Sequence, residues 1–338
     1  MRSITIKNLL SALTLFSALG LSVTPSLAEP LVYVAAGSAN RILVIDAATD
    51  KVVNEYDGVD NPHAVVATPD GEYVIAGSLK EKRDDKNIPR STLYLVHPAH
   101  GHVMSTLPAT GMIHHQAITP DGKYVISTHP TQSGISYADM LGDGTVKSVK
   151  TGPGANYAVL TPDGARAYVS NTGNATISEI DTKTWTVVRN LEGGPGPEHI
   201  AMSKDGKFLY VANARAGKVS AISIQSGKVV RQYDIGKKVH GLDISDDGST
   251  LFVTSKGENK LVVLDPKTDQ RRVVSLAPEP YHLQTIPGTG KVYVSSSKEP
   301  RIWVIDQRTG TLTGEIAIKG EGHQMATVHK NPPAQRGN

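Results

Sequence analysis

The sequence predicts an all-β fold, a seven-bladed β-propeller with four antiparallel strands in each blade. Three observations carry this prediction. A Thr-Pro-Asp-Gly turn at 68–71 recurs at 119–122 and 161–164, and degenerate copies stand at 203–206, 245–248 and 287–290. The closing glycines, Gly71, Gly122, Gly164, Gly206, Gly248 and Gly290, lie 51 residues apart once and 42 apart four times. A fixed period near 40 residues marks a repeat architecture. Each unit also carries four short runs rich in β-branched and aromatic residues, separated by polar turns, which is the content of one blade. Finally, the two ends of the array are complementary. Residues 31–56 supply three strands without a first one, and 323–330 supply a first strand without the rest.

The elements follow in order. Residues 1–28 read as a secretory signal peptide. Arg2 and Lys7 precede an apolar run at 8–23, and Ser26-Leu27-Ala28 offers small residues for cleavage. The chain has no cysteine, which excludes lipid attachment through a cysteine, thiolate metal ligands and disulfides. No later segment approaches 18 consecutive apolar residues, so no membrane span is expected. An exported, periplasmic protein is the expectation. Residues 29–330 form the propeller domain. In a typical unit, a run such as 63–67 meets the turn. A second strand follows, as in "AYVSN" 167–171, then a third, as in "ISEID" 177–181, and a fourth, as in "VVRNL" 187–191. Strands 323–330 and 31–36 should pair in one blade and close the ring, which removes free sheet edges. Residues 331–338 are expected to be a disordered tail. The charged insert at 79–90 explains the longer first spacing and enlarges a loop between second and third strands.

Charge excludes one class of partner. The chain has 35 Lys and Arg against 32 Asp and Glu, a net +3 that falls to +1 without Arg2 and Lys7. Such balance offers no long-range attraction to nucleic acid or anionic membrane. Neither a phosphate loop, a nucleophile elbow nor a zinc-protease helix motif appears.

The chemistry lies in a histidine register. Eight residues before each turn glycine stand His63, His114, Asn156, Glu198, His240 and His282, and in the last unit His323 occupies the corresponding place before Asn331. One residue later come His115 and His199, while the third unit has Asn156 and Tyr157 instead. First strands line a propeller's central channel, so His63, His114, His115, His199, His240, His282 and His323 should converge at one mouth. Neutral imidazole suits zinc, copper and nickel. The alternative is a hydrated channel lined by histidines without metal. His129, ending a second strand on the same face, is a possible additional ligand. Glu198 is a possible ligand, general base or surface carboxylate. Met112 and Met325 flank ring histidines and would suit copper(I), or simply pack. His97, His100 and His102 share an exposed turn on the opposite face, a weaker metal candidate.

"YVSN" at 168–171, "YVAN" at 210–213 and the recurring "PDG" resemble the YVTN (YncE-like) family of β-propellers, over residues 31–330. The histidine ring is similar to the copper site of nitrous oxide reductase-type propellers, which includes an adjacent histidine pair, and thiocyanate dehydrogenase is a second copper propeller of this kind. Propeller-shaped periplasmic zinc chaperones are similar in outline. The resemblance implies copper, or alternatively zinc, in metal handling or copper redox chemistry, with a periplasmic redox or metal-transport partner. Nitrous oxide reductase also carries a cysteine-ligated copper domain for electron entry. This chain lacks one, so the resemblance does not extend to unaided multi-electron turnover. No catalytic residue is assigned. The rivals are a metal-free scaffold binding a protein or peptide, and a haem- or quinone-binding propeller.

Overall fold

The computed structural model describes residues 30–328. The expected signal peptide at 1–28 and the expected tail at 331–338 lie outside the described residues. Seven sheets are arranged in chain order, each with at least four antiparallel strands. The innermost strands are Pro62–Ala67, Gln116–Ile118, Ala155–Leu160, Pro197–Met202, Val239–Ile244, Pro280–Ile286 and Gly322–Val328. Each touches its neighbours on both sides, so the seven form a closed cycle. Closure is as the sequence predicts: Gly322–Val328 pairs antiparallel with Leu31–Ala36, with Leu31 opposite Val328 and Val34 opposite Met325.

Side-chain pattern sets each strand's place. Second strands such as Phe208–Asn213 are buried almost throughout because blades cover both of their faces. Outermost strands such as Thr186–Glu192 alternate between exposed and covered positions, the period of a sheet with one wet face. Apolar clusters fill the spaces between successive blades. One of them packs Val34, Leu43, Tyr293, Val304 and Met325 across the closing blade and its neighbour. Fully burying a side chain of this size contributes about 1.5–3 kcal/mol.

The repeated turn is held by its own residues. Thr68 Oγ1 donates to Asp70 Oδ1 at 2.6 Å and the Gly71 N–H donates to the Thr68 carbonyl at 2.8 Å. Gly71 has φ 74°, a left-handed conformation that glycine adopts without a Cβ clash. The insert at 79–90 folds into a short hairpin instead of an open loop. Lys82–Arg83 pairs with the start of Pro89–His97, and Arg90 is bonded to Asp84 at 3.0 Å.

Candidate metal centre

A repeated backbone irregularity builds the site. In each innermost strand, just after its first residue, two consecutive residues stand where the second strand offers one. Thus Ala155 pairs with Asn171 but Ala158 with Val169, and Pro197 pairs with Asn213 but Ile200 with Val211. The same shift occurs at Val239/Leu242, Pro280/Leu283, Pro62/Ala64 and Gly322/Met325. In the remaining blade, the His114 N–H and the His115 carbonyl both bond the backbone of Thr128. A bulge of this kind re-aims side chains. Here it turns two neighbours per blade toward the axis.

The bulges define two tiers. The first positions are His63, His114, Asn156, Glu198, His240, Tyr281 and His323. The second are Ala64, His115, Tyr157, His199, Gly241, His282 and Gln324. His282 therefore belongs one place later than its count from Gly290 suggests. The strand Pro280–Ile286 pairs one step further than its counterparts, with Ile286 opposite Lys291, and this displaces the turn glycine.

All seven predicted histidines come together. Ring centroids of His115, His199 and His282 form a near-equilateral triangle with sides of 4.9, 5.2 and 5.0 Å. His63 packs on His114 at 4.6 Å and on His323 at 4.3 Å, and His240 sits 4.6 Å from His199. Three overlapping sets each bring ligand atoms within 4.8 Å of one another: His63, His114 and His115; His63, His282 and His323; and His115, His199 and His282. The last set is wholly second-tier, with exposures of 0, 2 and 2 %. Tyr157 fills the place of the missing histidine and stacks on the His199 ring at 4.4 Å. Tyr281 does the same against His240 at 4.3 Å.

Hydrogen bonds fix the tautomers. His115 Nδ1 donates to the Asn156 carbonyl at 2.9 Å and His63 Nδ1 to the His114 carbonyl at 2.6 Å. Carbonyl oxygens only accept, so each ring carries its proton on Nδ1 and presents a bare Nε2. Glu198 Oε2 plays the same part for His240 Nδ1 at 2.6 Å. The opposite nitrogens are left without partners. His115 Nε2, His240 Nε2, His282 Nε2, His323 Nδ1 and both nitrogens of His199 are buried and bond to nothing among the described residues. Buried polar atoms without partners are rare in folded proteins. Desolvation holds His63, His115, His199, His240 and His282 well below the usual imidazole range, and lowers His323 to about 4. Burial pushes the Tyr157 phenol and the Glu198 carboxyl upward. The cage is thus neutral at pH 7 and holds closely spaced nitrogens with unused lone pairs, as a transition metal requires.

The two additional candidates have other places. His129 bonds the Met112 carbonyl through Nδ1 and Ser136 through Nε2, both at 2.8 Å, so neither nitrogen is free. It occupies the position of Asn171, which donates from Nδ2 to Ser178 Oγ, and of Asn213, whose Oδ1 accepts from Ser220 Oγ. Glu198 orients His240 from the rim. Met325 packs in the apolar cluster of the closing blade. His97 and His100 stack at 4.3 Å on the Pro89–His97 hairpin, but His97, His100 and His102 form none of the convergent sets. Sequence reading missed Tyr157 and Tyr281 as members of the cluster; the signal was the residue beside each register position.

Below the second tier the channel opens into a chamber of about 470 Å³, lined by Tyr157, His199, His282, Asp243, Gln324 and Lys204 among others. No first-tier residue lines it.

No curated protein matches the chain in sequence. Solved structures similar to it share the fold. The periplasmic gluconolactonase of Pseudomonas aeruginosa is 19 % identical, with 88 % of this chain and 99 % of that one covered at a TM-score of 0.69. Hydrazine synthase of Kuenenia stuttgartiensis is also 19 % identical, with 77 % and 87 % covered at 0.67. A functionally unknown protein of Desulfotomaculum acetoxidans is 16 % identical, with 89 % and 99 % covered at 0.72. Residues 110–249, which include the adjacent histidine pair, His199 and His240, match the family model of YncE-like β-propellers.

Proposed function

We propose that this chain is a periplasmic propeller that binds copper, or alternatively zinc, in its histidine cage and serves metal handling or copper redox chemistry. One observation carries the reading: five histidines of the cluster hold six buried ring nitrogens without a hydrogen-bond partner among the described residues, and each neutral ring keeps one lone pair for a metal. Leaving them so costs the desolvation of each group, about 1–3 kcal/mol. A metal ion accepts those lone pairs and offsets that cost. Among the described residues no helix is long and apolar enough to cross a membrane. When bound, copper supplies one-electron exchange and zinc a Lewis acid. This chain's part is to hold neutral imidazoles at fixed spacing on a rigid ring, with Asn156, the His114 carbonyl and Glu198 setting their tautomers. Metal content of untagged full-length protein, purified without added metal and again after copper or zinc loading, tests the reading. A chain that retains neither metal after desalting is not a metal protein.

A second reading is hydrolysis of a small lactone, an activity named for the similar Pseudomonas aeruginosa protein. The half-buried Glu198, hydrogen-bonded to His240, is the feature that favours it, since a carboxylate raised by burial is a general base. Assay of gluconolactone opening by wild type and Glu198→Gln decides it: the reading requires activity that the variant loses.

A further inference from the structure

We propose that the Tyr157 hydroxyl is the hydrogen-bond donor for a small anionic ligand that reaches second-tier metal through the central channel. The inference rests on the metal reading above and deepens it.

Tyr157 is the single aromatic of the second tier that is not a histidine, and it stands in the blade that lacks one. Its ring stacks on His199 at 4.4 Å and meets His115 in a T-shaped contact at 4.8 Å, so it borders two corners of the His115, His199, His282 triangle. The hydroxyl makes no hydrogen bond to the described residues, and Tyr157 lines the chamber. It lies within electrostatic range of Asp243, another lining residue. Asp243 itself is satisfied, accepting from the N–H and Oγ1 of Thr285, both at 2.8 Å. The phenol is therefore a donor without an acceptor, beside imidazole nitrogens without partners.

The layout also fixes the approach. His115, His199 and His282 are 0–2 % exposed and covered by the first tier, while His199 and His282 line the chamber. An exogenous ligand meets the triangle from the channel side, where the phenol is. Lys204 lines the same chamber and contributes positive charge. An anion with an acceptor atom next to its metal-bound atom fits this pairing of metal and donor; azide is the simplest probe.

The test compares wild type with Tyr157→Phe, which keeps the ring and its stacking. Both proteins are loaded with copper(II), their metal content is measured, and azide is titrated by its charge-transfer absorption. Pyridine is titrated in parallel, since it keeps neither a lone pair nor an N–H once metal-bound. The expected result is unchanged metal content, azide affinity lower by about ten-fold, the loss of one hydrogen bond to an anion, and unchanged pyridine affinity. Equal azide affinity in the two proteins overturns the inference and leaves the metal reading standing. An equal loss for azide and pyridine assigns Tyr157 a packing role and also overturns it. A wild-type chain that takes up no copper overturns this inference and removes the copper half of the metal reading, leaving zinc.

Discussion

His115 and His129 show how one residue type divides into two roles. His115 gives Nδ1 to a carbonyl and leaves Nε2 bare, whereas His129 spends both nitrogens inside its blade. Replacing His115 and His282 together by alanine should lower metal affinity by at least about 10–100-fold while the fold survives, read by metal content and circular dichroism. His129→Asn should keep full metal content, because asparagine already fills that position in two blades; His129→Ala should lower stability by about 1–3 kcal/mol in denaturant unfolding. The cage also predicts an acid limit. Its histidines are depressed in the folded state, so stability is complete above the unfolded value near 6.5 and falls as pH drops below it. The slope is about 1.4 kcal/mol per pH unit for each histidine that stays neutral. Melting temperatures of metal-free protein from pH 8 to 4.5 should be flat and then decline below about 6.5. A melting temperature that rises on acidification would contradict the neutral cage.

At the scale of the strand, the bulge is the feature that makes the cage. It places two neighbours per blade on the axis, which is why His114 and His115 can both contribute. The bulged backbone leaves little room. A Cβ at Gly241 would lie 2.4 Å from the Tyr281 carbonyl oxygen and 3.1 Å from Thr254 Oγ1. Gly241→Ala should therefore destabilise the protein by about 1–3 kcal/mol, measured by urea unfolding, and should loosen the His240–Tyr281 stack. Strand identity and the histidine register were legible from the repeats, because turn residues and β-branched runs act locally. The tiers were not. A bulge is a relation between two strands, and no residue type in a single repeat announces it. The same blindness misplaced His282 by one position, since its turn is built differently. The role of His129 stayed open in the sequence because its partner, Ser136, lies on the next strand.

Across the whole molecule, closure decides whether the other parts assemble. Gly322–Val328 is the innermost strand of the blade built on Leu31–Ala36, and it also brings His323 and Gln324. Gln324 reaches across to Gln116, accepting from its N–H at 2.9 Å and donating to its carbonyl at 2.7 Å. Deleting 320–338 opens one sheet edge and cuts this bridge. The truncated chain should lose cooperative thermal unfolding and all specific metal binding. A truncation that melts like the full chain would show that the ring does not depend on this strand.

That closing strand also sets a clock. Translation runs at about 5–20 residues per second, so the stretch from His63 to His323 takes roughly tens of seconds to emerge. Throughout that interval a growing chain can offer partial sets of imidazoles and the 97–102 turn, but not the complete cage. Metal captured early would sit on the wrong donors and have to migrate. The mature site comes into being with the final blade, so a stably held ion would report that every blade is present and in register.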